Sequence, residues 1–163
     1  MSATPGQEIE RKFLVETLPD DLPPGERVEQ GYLAVAPDGT EVRIRRREGT
    51  CTLTIKSGPA HVRVEEELEI DARRFESLWA LTGGRRIAKT RHVVPLGAGL
   101  QAEVDVYEGD HDGLRVAEVE FPSATDSESF SPPDWFGPEL TGDKRYANQS
   151  LALHGPPTAG PRS

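Results

Sequence analysis

Cysteine is almost absent from this sequence, with Cys51 alone among 163 residues. One thiol excludes an intrachain disulfide and any cysteine-held metal cluster. Long apolar runs are missing too, and none approaches the roughly 18–20 residues that a membrane-spanning helix needs. Met1 to Gln7 is small and polar, without the basic and apolar regions of a secretory signal. A cytoplasmic location is therefore expected. Positive charge is in deficit, at 19 Lys and Arg against 28 Asp and Glu, for a net charge of −9. That balance argues against nucleic acid and anionic membranes as partners, since both call for an outward basic field. A small anionic ligand stays compatible with it, because an internal site can be basic beneath an acidic surface, and divalent metals add further positive charge.

No solenoid-period repeat and no interdomain linker occur. The chain instead alternates apolar and polar residues in short segments, the pattern of antiparallel strands. Strands are expected over roughly 8–15, 28–36, 41–48, 51–57, 62–70, 86–95, 101–108 and 114–122. Between them lie Pro37-Asp38-Gly39, Glu48-Gly49-Thr50, Gly58-Pro59 and Gly97-Ala98-Gly99, residues that accept the bends of hairpins. Asp71 can cap a helix over 72–81, with Phe75, Leu78, Trp79 and Leu81 as its apolar stripe. Thr141 or Asp143 can cap a second helix that runs through Leu153. The Ser-, Pro- and Asp-rich stretch 123–139 carries no expected structure. A single domain over 1–154 with a disordered tail at 155–163 follows. Apolar residues on the outward strand faces exceed what two helices cover, so a homodimer is compatible with the pattern.

Positions two apart in a strand share a face. On that rule Glu8, Glu10 and Lys12 stand together, as do Arg43, Arg45 and Arg47, and Thr52, Thr54 and Lys56. Arg63, Glu65, Glu67 and Glu69 form another row, followed by Lys89 with Arg91, Glu103 with Asp105, and Glu118 with Glu120. An ordinary half-wet sheet explains any one of these rows. It explains seven less well, because a solvated face mixes Ser, Thr, Gln and Asn with its charges. Eight strands can close around side chains or one small ligand. The expected fold is mainly β with flanking helices (α+β), a closed eight-stranded antiparallel β-barrel. Ionic groups turned inward would be costly unless paired. A polyanion with divalent cations resolves this, giving Arg and Lys phosphate oxygens and giving the carboxylates metal.

The segment Glu8-Ile9-Glu10-Arg11-Lys12 resembles the Glu-x-Glu-x-Lys signature of the triphosphate tunnel metalloenzymes, the CYTH superfamily. Further landmarks follow in that family's order: Gln30-Gly31-Tyr32-Leu33, Val42-Arg43-Ile44-Arg45, Leu53-Thr54-Ile55-Lys56, Lys89-Thr90-Arg91, Glu103-Val104-Asp105, Ala117-Glu118-Val119-Glu120 and Gly142-Asp143-Lys144-Arg145-Tyr146. The small bacterial inorganic tripolyphosphatases are the members it most resembles. The resemblance implies a tunnel that takes a small-molecule triphosphate end-on with Mg²⁺ or Mn²⁺. It implies metal ligands at Glu8, Glu10, Glu118 and Glu120, and a phosphate clamp of Lys12, Arg43, Arg45, Lys56, Lys89 and Arg91. Arg63 belongs to the same set, and Lys144 or Arg145 adds a cation from the last helix. Glu65, Glu67, Glu103 and Asp105 are left to orient the clamp, bind metal or position water.

Within the superfamily, the class IV adenylyl cyclases offer an alternative, and a non-catalytic polyphosphate- or nucleotide-binding module offers another. A cyclase needs a purine site, and no inward aromatic is positioned to stack a base: Tyr107 shares parity with Glu103 and Asp105, Tyr32 is the other strand candidate. A binding module should lack the metal carboxylates, and both Glu pairs are present. His61, His92, His111 and His154 fall at strand ends, a turn and the tail, and read as surface residues. His92 stands where bacterial relatives often carry an aromatic.

Overall fold

The computed structural model describes residues 9–58 and 64–157. Its strands are β1 (Ile9–Leu14), β2 (Glu26–Val35), β3 (Glu41–Arg47), β4 (Thr50–Ser57), β5 (Val64–Ile70), β6 (Arg86–Gly97), β7 (Leu100–Tyr107) and β8 (Arg115–Phe121). They form one antiparallel sheet in the order β1-β8-β7-β6-β2-β3-β4-β5. Each strand coincides with an expected one, because period-two alternation and turn chemistry agree along this chain. At the β3–β4 turn Glu48 and Gly49 adopt φ of 49° and 82°, the left-handed pair that a two-residue hairpin requires. Glu8 and Arg63, expected in β1 and β5, lie outside the described residues.

The expected closure into a barrel is not found. Among the described residues β5 pairs only with β4, and the outer edge of β1 bonds to residues 137–140 rather than to β5, so the sheet is not closed by hydrogen bonds. The β5 edge is exposed and carries Glu65, Glu66, Glu67 and Glu69. Clustered charge of this kind discourages pairing with a further strand.

The face opposite the ionic one builds two cores. Over β3 and β4, Ile44 and Cys51 pack on Phe75 of helix α1 (Ala72–Trp79), joined by Leu33, Leu53, Ile70, Leu78 and Trp79. Asp71 caps α1 as expected, accepting from the Arg74 amide at 2.7 Å. The helix stops earlier than expected, in a 3₁₀ turn over Ala80–Thr82. The tighter turn rotates Leu81 off the apolar stripe, leaving it 65% exposed.

Over β7 and β8, Ala102, Val104, Ala117, Val119 and Phe121 are covered by Phe130, Trp135 and Phe136. That cover comes from the stretch 123–139, where no structure is expected from sequence. It includes a short helix, α2 (Ala124–Ser129), capped by the Ser123 hydroxyl. Arg11 ties the stretch to β1, donating to both Glu139 oxygens at 3.0 and 2.8 Å. Much of the apolar surface that suggests a dimer is thus covered within the chain, although Val64 and Leu68 on β5 stay exposed.

The expected C-terminal helix is two pieces, a 3₁₀ turn over Lys144–Tyr146 capped by Asp143 and helix α3 over Asn148–His154. Ala147 separates them with an extended ψ of 145°. Thr141 instead serves β1, where its hydroxyl accepts from the Lys12 amide at 3.0 Å. His111 is not a surface residue. It is buried in the β7–β8 turn, and its Nε2–H donates to the Leu151 carbonyl at 2.6 Å, pinning α3.

Gly31 on β2 lets the strand approach this helical cover closely. A Cβ there would lie 2.8 Å from the Thr82 methyl and 2.9 Å from the Trp79 ring. Gly31→Ala is expected to cost about 1–3 kcal/mol, read as a lower urea midpoint. An unchanged midpoint would show that β2 and the end of α1 are not in close contact.

Candidate functional site

Residues directly opposed in an antiparallel ladder point to the same face. The register therefore links side chains across the whole sheet. Glu10 faces Glu120 and Lys12 faces Glu118. Glu118 faces Glu103, and Asp105 faces Arg91. Arg91 faces Glu26, while Gln30 and Tyr32 face Arg45 and Arg43. Arg43 faces Thr54, Lys56 faces Glu41, and β5 adds Glu65 and Glu67 opposite Lys56 and Thr54. The described strand members of the expected set thus share one continuous face.

At one end this face becomes apolar. Tyr32, Ile87, Tyr107 and Val116 pack with Leu140, Tyr146 and Leu151, so α3 lies across that end. Asn148, the first residue of α3, accepts from the Tyr107 hydroxyl at 2.7 Å and from Lys89 Nζ at 3.4 Å. Both inward tyrosines are consequently buried beneath α3, and Tyr32 shares the face with Arg43 rather than pointing away from it.

The cations are neutralised unevenly. Asp105 is bracketed by Lys89 Nζ at 2.7 Å and by Arg91 Nε and Nη2 at 2.8 and 3.0 Å. Arg91 also reaches Glu103 at 2.8 Å. Burial pushes the Lys89 ammonium down to about 8, with the charge of Asp105 opposing the shift. Burial alone would raise Asp105, but Lys89 and Arg91 outweigh it and hold the carboxyl below its ordinary range. Arg47 Nε binds Glu26 at 2.5 Å, and Lys56 lies 4.0 Å from Glu65. Arg45 differs. Burial, then the like charges of Arg43 and Arg91, push its guanidinium down, and its Nε donates to the neutral Gln30 at 2.9 Å. The Nε of Arg43 is buried with no hydrogen-bond partner among the described residues.

Carboxylates accumulate at the other side of the face. Glu10 opposes Glu120, and Glu103 opposes Glu118, like-charge pairs that destabilise a ladder without a counter-charge. Among the described residues no three His, Cys, Asp or Glu side chains meet closely enough to hold a metal ion. Lys144 shares a hollow of about 230 Å³ with Glu10, Lys12 and Thr141. Its neighbour Arg145 is turned to Asp143, with Nη2 at 2.6 Å from the carboxylate. Sequence reasoning missed Gln30, Glu26 and Asn148 as members of this face. Parity could have found Gln30, which lies two positions from Tyr32. Asn148 sits at a helix start whose orientation no strand pattern reveals.

The described residues thus form an antiparallel sheet with one ionic face, closed at one end by a helix and carrying an arginine, Arg45, that is anchored by an amide rather than a carboxylate. No protein-family model matches the chain. It is 45% identical over 146 residues to an inorganic triphosphatase of Nitrosomonas europaea, covering 90% of this chain and 97% of that protein. It is 36% identical over 149 residues to an inorganic triphosphatase of Acetivibrio thermocellus, covering 90% and 93%. A solved inorganic triphosphatase structure superposes with a TM-score of 0.79 at 44% identity, covering 93% of this chain and 97% of that one. The chain belongs to the inorganic triphosphatase family.

Lys89 gives the face a pH dependence. Its folded pKa is depressed, so the unfolded chain binds more protons between about 8 and 10.5, and this group adds fold stability as pH rises through that window. Anion binding follows the opposite course, because the same rise removes a cation. Tripolyphosphate affinity is expected to fall above about pH 8, measured by titration calorimetry as the difference between wild type and Lys89→Met. Parallel pH profiles in the two proteins would show that Lys89 does not face the anion.

Proposed function

We propose that this chain hydrolyses inorganic tripolyphosphate to diphosphate and phosphate with the help of a divalent metal. The observation that carries the reading is the pair of guanidinium groups on β3, Arg43 with an Nε that has no hydrogen-bond partner among the described residues and Arg45 anchored by the neutral Gln30. Guanidinium groups suit phosphate because their planar donors match pairs of its oxygens. In this reading Lys12, Arg43, Arg45, Lys56, Lys89 and Arg91 hold the three phosphates. Lys144 joins them from beside Lys12, since Arg145 is engaged by Asp143. Asp105 is consumed by Lys89 and Arg91, so it orients the clamp rather than binding metal. Arg63 and Glu8 retain their proposed roles from sequence, as clamp and ligand.

Glu10, Glu118 and Glu120, with Glu8, fit Mg²⁺ or Mn²⁺ by chemistry, since hard cations take oxygen ligands. The register supports the assignment, because Glu10 stands directly opposite Glu120 on neighbouring strands. Such an ion neutralises phosphate charge and lowers the pKa of a bound water. The chain's own part is positioning, the main requirement of phosphoryl transfer. The clamp holds the terminal phosphate in line with water, whose oxygen adds to phosphorus as the anhydride bond breaks and diphosphate leaves. Glu65 and Glu67, exposed on the β5 edge, are available to orient that water.

Nucleotides suit the face less well. Tyr32 and Tyr107 are buried under α3, so neither presents a ring on which a base could stack. Phosphate release from tripolyphosphate, ATP and thiamine triphosphate, each with Mg²⁺, Mn²⁺ or EDTA, tests the reading. Tripolyphosphate is expected to be the best substrate and EDTA to abolish turnover, while Glu10→Gln keeps the fold and loses about 100-fold or more in kcat. Cyclic AMP formed from ATP, or ATP hydrolysed more efficiently than tripolyphosphate, would contradict it.

A further inference from the structure

We propose that Gln30 is a positioning residue that aims Arg45 at the substrate without cancelling its charge; this rests on the triphosphatase reading. Gln30 has 0% of its surface exposed, at the middle of β2. Its Oε1 accepts from Arg45 Nε at 2.9 Å, and its Nε2 donates to the Tyr32 hydroxyl at 2.8 Å. The amide orientation is dictated at the first contact, because a guanidinium can only donate. Anchoring Nε fixes the plane of the group and leaves its terminal nitrogens as the edge for two phosphate oxygens.

The neighbouring guanidiniums show what is unusual here. Arg47, two residues along β3 on the same face, is anchored through Nε by the Glu26 carboxylate. Arg91 is anchored through Nε by the Asp105 carboxylate. Arg45 is anchored through the same atom by a neutral amide. A carboxylate at position 30 would meet the same geometric need. It would also compensate a half-buried cation that Arg43 and Arg91 repel more than Glu67 attracts, and opposite charges directly across a ladder stabilise it. For the fold alone, Glu is the better residue. Gln gives up that stabilisation and preserves positive potential where the phosphates bind, a trade between stability and activity common at functional sites. The motif Gln30-Gly31-Tyr32 then has a reason at each position. Gln30 anchors Arg45, Gly31 admits Trp79 and Thr82 on the opposite face, and Tyr32 supports the amide.

Gln30→Glu separates the two demands because it is isosteric. The test compares wild type and Gln30→Glu for tripolyphosphate hydrolysis with Mg²⁺ or Mn²⁺ and for the urea midpoint. The expected result is a midpoint equal to or above wild type, together with a loss of about tenfold or more in kcat/KM that falls mainly on KM. Efficiency within twofold of wild type would overturn the proposal, since added negative charge would then be harmless. A loss of activity with a lowered midpoint would also overturn it, by making Gln30 a residue of the fold. Wild-type protein that releases no phosphate from tripolyphosphate would instead defeat the triphosphatase reading itself, and this proposal with it.

Discussion

Repulsion among cations on one face of a sheet is the constraint from which the rest of this structure follows. Each cation is balanced differently. Lys89 and Arg91 share the buried Asp105, Arg47 takes Glu26, and Arg45 receives the dipole of Gln30 and the field of Glu67. Among the described residues Arg43 and Arg45 on β3 are left without a carboxylate in direct contact. A buried guanidinium without a carboxylate costs stability. The fold offsets that cost on the opposite face, where α1 and the stretch 123–139 cover two apolar clusters. A net charge of −9 coexists with this row of cations because acids are interleaved with them on the same face, at Glu26, Glu103, Asp105 and Glu118, and crowd the β5 edge.

The third cluster does two jobs at once. Tyr32, Ile87 and Tyr107 extend the ionic face into an apolar floor, and Leu151 of α3 packs onto it. His111 fixes α3 from the β7–β8 turn. Asn148 then stands between Tyr107 and Lys89, so helix docking and the environment of a clamp lysine are a single arrangement. Burial by this floor is also what depresses Lys89, which ties the protonation of the site to the packing of the C-terminus.

The strands could be read from the chain because side-chain parity is a local property. Arg43, Ile44 and Arg45 declare their faces without reference to any partner. Closure could not be read, since it depends on tilt and shear, which alternation within one strand does not encode. The acidic β5 edge was visible as a row of inward carboxylates, but its exposure was not. Phe130, Trp135 and Phe136 follow neither strand nor helix spacing, so their role as the cover of β7 and β8 exists only in tertiary contact. The burial of His111 has the same origin. At the site, parity located the charged residues and overlooked the neutral amides. Gln30 and Asn148 carry no charge signature, yet they set the orientation and surroundings of Arg45 and Lys89.

The central claim is that the phosphate chain binds where guanidinium charge is left uncompensated. Side-chain ¹H–¹⁵N spectra of the arginine Nε groups, recorded as tripolyphosphate is added in EDTA, test it most directly. The account predicts that the Arg43 and Arg45 signals shift, while Arg11 and Arg46, already paired with Glu139 and with Glu29 and Glu76 on the opposite face, stay in place. Shifts at Arg11 and Arg46 with Arg43 and Arg45 unmoved would contradict it.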